Sequence, residues 1–77
     1  MTTAIVHLGA GNTASVQFAL ERLGADVRVT SNATHILEAE RLVLPGVGAA
    51  GYAMQRMAEL GLTDIIRGFP RPLLGLC

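Results

Sequence analysis

The chain has 77 residues, carries no net charge at pH 7 and is 51% hydrophobic, which leaves room for one small and unusually apolar domain. Six arginine residues balance six acids, lysine is absent and only 4% of residues are aromatic, so the clustered positive charge needed for nucleic acid or an anionic membrane surface is missing. No apolar run approaches the roughly 20 residues of a membrane span, Met1–Thr3 lacks the charged start of a secretory signal, and a single cysteine excludes an internal disulfide and fits a reducing cytoplasm.

Ala4–Leu8 is a short, mostly apolar run before a glycine turn and predicts a buried first strand. Gly9 to Asn12 is the turn, and Asn12 or Thr13 caps a first helix. Val16, Ala19, Leu20 and Leu23 recur at helical spacing and give that helix one apolar face. Gly24 suits the position just past its end. Val27–Val29 predicts a second strand, placed at a sheet edge by its alternation and its single charge. Thr30–Thr34 is polar and loop-like, and His35–Glu40 predicts one or two helical turns. Arg41–Leu44 is a third strand that Pro45 ends, and Pro45–Gly48 is a tight loop. Ala49–Leu60 predicts a helix with Met54, Met57 and Ala58 on one face as core filler, closed by Gly61. Thr63 caps a short helix through Arg67, and Gly68 and Pro70 break it. Pro72–Cys77 predicts a buried fourth strand.

This order predicts an α/β fold with parallel strands joined by crossover helices. A fourth parallel strand is expected to feed a helix and further strands, and a parallel sheet needs both faces covered. Residues 1–77 therefore read as the first part of a single domain, with about four strands.

Three stretches carry candidate chemistry. In His7–Ala14, the residues Gly9, Gly11 and Ala14 satisfy G-x-G-x-x-G/A between a strand and a helix. The second strand, however, ends Val29-Thr30-Ser31-Asn32, without the acid that would hold a ribose. The turn reads first as a sharp strand-to-helix connection; a noncatalytic half-Rossmann module holding a phosphate or NADP stays open as an alternative. In Leu42–Gly48, Pro45 and two glycines leave an exposed backbone at a strand end, able to aim N–H groups at an oxyanion or simply to turn the chain. In Leu73–Cys77, Gly75 leaves room for a strained elbow, and Cys77 reads either as a nucleophile at a strand end or as a small buried hydrophobe.

His7 and His35 have no ligand-spaced partners, so no metal is expected, and no cofactor. His7 reads as a hydrogen-bonded structural histidine. The acids Glu21, Asp26, Glu38, Glu40, Glu59 and Asp64 are scattered and read as solvated surface.

Taken together, "GAGN" after the first strand, "LPGVG" after the third and "PLLGLC" closing the fourth resemble a class I glutamine amidotransferase. Within that family the pattern, including "FALERLG", is similar to the N-terminal part of the glutaminase subunits of imidazole glycerol phosphate synthase, in histidine biosynthesis. The resemblance implies a flavodoxin-like three-layer parallel sheet. It implies hydrolysis of glutamine to glutamate and ammonia through a thioester on Cys77. The Pro45–Gly48 stretch would be the oxyanion strand, with a backbone N–H of Val47 or Gly48 on the tetrahedral intermediate and with Gly46 and Gly48 at the bound glutamine. Asn12 would lie near the contact with the cyclase subunit, a β/α barrel that receives the ammonia. His7 stands where many members of the family carry Asp.

In the family, a G-x-Q follows the cysteine, and a later histidine and glutamate complete a triad. None of these lies within residues 1–77, so the expectation is a piece truncated at its nucleophile and inactive by itself. Another class I amidotransferase, feeding a different synthase, is the alternative within the same chemistry. An open fourth strand also predicts self-association.

Overall fold

In a computed structural model, residues 2–9, 13–45 and 50–75 are described. The elements run β1 (Thr2–Val6), α1 (Thr13–Arg22), β2 (Asp26–Thr30), α2 (Ala33–Glu38), β3 (Arg41–Leu44), α3 (Ala50–Glu59), α4 (Thr63–Arg67) and β4 (Leu73–Gly75). The strands form one parallel sheet in the order β2-β1-β3-β4. The step from β1 to β2 and the steps through β3 to β4 run in opposite directions. Right-handed crossovers then put α1 on one face and the later helices on the other.

The packing follows that rule. Ala4, Val6 and Leu42 share a buried cluster with Ile36 and Ala39 at α2, with Leu62, and with Ile66 of α4. Met57 and Leu60, at the end of α3, pack against the same cluster. Thr3 and Val43 point to the other face, where Leu20 and Leu23 of the α1 segment lie. The fold is the three-layer α/β arrangement expected, with α1 a sparse third layer.

Both long helices end in the same way. At α1 the Gly24 N–H donates to Glu21 O (3.0 Å) and the Ala25 N–H to Leu20 O (3.1 Å). At α3 the Gly61 N–H donates to Ala58 O (3.1 Å) and the Leu62 N–H to Met57 O (2.8 Å). This paired pattern satisfies the last carbonyls and needs a left-handed residue, which Gly24 (φ +85°) and Gly61 (φ +70°) supply.

Several expected boundaries shift for identifiable reasons. β1 starts at Thr2 and stops at Val6, where its pairing with Thr30 ends; His7 runs on beyond the strand. β2 extends over Asp26–Thr30. The expected Thr30–Thr34 loop is shorter, because Asn32 Oδ1 accepts from the N–H groups of Thr34 (2.8 Å) and His35 (3.2 Å) and starts α2 at Ala33. Thr63 is not a cap: the turn at Gly61 lets helical backbone resume at Leu62, and the Thr63 hydroxyl is buried with no partner among the described residues. Met54 is exposed, as is Ala58; only Met57 of the expected trio packs on the core. α1 contains no buried residue, and Leu23 just beyond it is 83% exposed. The fourth strand is described as Leu73–Gly75 and is exposed rather than buried, because among the described residues it pairs with β3 alone and little covers it.

Candidate functional site at the C-terminal strand edge

The pairings of Ile5 with Val43 and of Leu44 with Gly75 bring the ends of β1, β3 and β4 to one edge of the sheet. Open parallel sheets place ligands outside this edge. The candidate chemistry leaves from it: residues 9–12 follow β1, residues 46–49 follow β3 and residues 76–77 follow β4. Asn12, Gly46, Val47, Gly48 and Cys77 all lie outside the described residues, as does Gly11. What can be described is the frame on either side of them.

The first turn leaves β1 through Leu8, which is buried, and Gly9, whose φ of +86° a side chain would strain. The glycine expected from the turn pattern is thus required by backbone geometry. α3 closes over this turn. Arg56 Nε donates to Leu8 O (3.0 Å), and Arg56 Nη1 pairs with Glu59 Oε1 (3.2 Å) on the solvent side. A Cβ built on Gly9 would sit 3.7 Å from both Arg56 nitrogens Nε and Nη2 and from the Tyr52 hydroxyl.

The loop after β3 is anchored at its start by Pro45, which is buried, and runs into α3 at Ala50. The segment before β4 is held by Arg71. Its Nε donates to Ala39 O (2.7 Å), its Nη2 to Leu37 O, and its guanidinium stacks 4.9 Å from the Phe69 ring centroid.

His7 is exposed, and it is the backbone N–H of this residue that makes the hydrogen bond, to Thr30 O (2.9 Å). The structural histidine is His35, whose Nδ1 lies 3.2 Å from Thr30 Oγ1, an oxygen that also accepts from the Asn32 N–H (3.0 Å). Among the described residues, no three His, Cys, Asp or Glu side chains converge as metal ligands would, and no helix is long and apolar enough to cross a membrane. Glu40 and Glu59 are more than solvated surface: Glu40 Oε1 accepts from the Thr2 N–H (3.1 Å), and Glu59 holds Arg56.

No family model matches the chain. Curated relatives do. The chain is 49% identical over 73 residues to the imidazole glycerol phosphate synthase subunit HisH of Shewanella oneidensis, covering 95% of this chain and 33% of that protein. It is 44% identical over 73 residues to HisH of Pasteurella multocida, at 95% and 37% coverage. It is 46% identical over 74 residues to HisH of Xanthomonas euvesicatoria pv. vesicatoria, at 96% and 37% coverage. The chain resembles the N-terminal part of HisH. It spans about a third of the length of the HisH relatives it matches. Its four strands form an all-parallel α/β sheet, and the HisH relatives imply a class I glutamine amidotransferase fold.

Sequence reasoning for this HisH-like segment missed Arg56, Tyr52 and Arg71. For Arg56 a signal existed: it precedes Leu60 by one helical turn, so it shares the stripe that packs on the core. No periodic pattern marks Arg71, which acts from an irregular segment.

Proposed function

We propose that residues 1–77 are the N-terminal part of a cytoplasmic glutaminase subunit that hydrolyses glutamine and passes ammonia to a cyclase subunit making imidazole glycerol phosphate. The observation that carries this reading is the adjacency of β3 and β4. The oxyanion loop and the nucleophile expected from the HisH resemblance continue from neighbouring parallel strands whose ends are in register.

On this reading the Cys77 thiolate attacks the side-chain amide carbon of glutamine. Negative charge develops on the amide oxygen, and a backbone N–H from Val47 or Gly48 stabilises it, with Gly46 and Gly48 beside the bound substrate. Ammonia leaves after protonation, and water releases glutamate from the thioester. The general base comes from beyond residue 77. His35 cannot serve: it follows β2, three strand spacings from β4 and so about 14 Å away, and its Nδ1 is engaged with Thr30. Asn12, in the turn after β1, meets the cyclase subunit. No cofactor or metal takes part.

The test uses a chain in which these residues are followed by the rest of a HisH-type subunit. Cys77→Ser is expected to abolish glutamine hydrolysis and to leave cyclase binding intact. Substantial residual hydrolysis would remove Cys77 from the chemistry. The 77-residue chain assayed alone is expected to be inactive.

A further inference from the structure

We draw no further inference here: the strongest candidate, the apolar groove between the α1 segment and the sheet lined by Leu20, Leu23, Val43 and Leu74, carries none, because nothing in the structure shows what covers it.

Discussion

Arg71 donates through Nε to the backbone oxygen of Ala39 at 2.7 Å, joining the segment before β4 to the end of α2. A second donor, Nη2, reaches Leu37 O, so one guanidinium serves two carbonyls that the end of this short helix leaves without intrahelical partners. The cation also faces the negative end of α2, the favourable sense for the helix dipole. These bonds steer the chain toward the Leu42–Pro72 contact where the pairing of β3 with β4 begins.

Replacing Arg71 with alanine is therefore expected to cost about 1–2 kcal/mol, the usual range for hydrogen bonds to a charged group that keeps some solvent. Arg71→Lys keeps the charge but loses the fork and the stacking on Phe69, so it is expected to recover less than half. Urea unfolding followed by circular dichroism measures both. An alanine variant with the parental midpoint would show that β4 is held by its ladder alone.

How much of this was legible beforehand depends on whether a feature is local. Parallel strands joined by helices follow from the alternating strand and helix signals, β2 lies at a sheet edge as expected, and β3 is Arg41–Leu44 as expected, because Pro45 ends it. Gly24 and Gly61 were legible as helix stops because the paired turn needs a positive φ. Asn32 was not read as a cap; its role depends on a helix of six residues too short to show periodicity. The exposure of β4 and of Leu23 was hidden for another reason: burial is set by what lies across the sheet, and the run Leu73–Leu74 looks the same with or without cover. For the candidate site, the motifs after β1, β3 and β4 were readable as resemblance, and the fold brings their strand ends to one edge. Arg56 was legible only as a neighbour of Leu60 on one helix stripe; its partner, a carbonyl 48 residues away, was not.

The glycines make opposite predictions. Gly24 has φ +85° and open space where a Cβ would go, so Gly24→Ala is resisted by backbone strain alone, about 1–2 kcal/mol. Gly51 lies in α3, also with open space around it and without a positive φ. Gly51→Ala is expected to raise stability by up to about 1 kcal/mol through helix propensity. Thermal unfolding of the two variants gives shifts of opposite sign. Shifts of the same sign would mean that neighbouring side chains, not backbone conformation, govern these positions.

The face of the sheet beside α1 predicts how the 77-residue chain behaves in solution. Leu20, Leu23, Val43 and Leu74 line a groove of about 450 Å³, and Phe18 and Leu74 are 60% and 56% exposed. Apolar surface of this kind drives association, and β4 also offers an open edge for strand pairing. Gel filtration across a concentration series is expected to show growth in apparent size. Leu23→Gln with Leu74→Gln is expected to reduce it, since both side chains border the groove and neither is buried. A clean monomer at high concentration in the parent would show that the groove closes on itself.

The oxyanion role proposed for the loop after β3 is separable from a role as a turn. Gly48→Pro in a full-length HisH-type subunit removes the N–H at residue 48 and restricts Val47 before it. If an N–H here meets the developing charge, the loss falls on the transition state and not on glutamine in its ground state. kcat is then expected to drop by about a hundredfold to a thousandfold, the usual cost of one oxyanion donor, while glutamine affinity changes much less. Pro45 already fixes the β3 side, so the added proline acts on a loop whose start is anchored. Glutamine binding measured by calorimetry on the Cys77→Ser background separates the two terms. Equal losses in affinity and in rate would make the loop a substrate-shaped wall, and an unchanged rate would make it only the connection between β3 and α3.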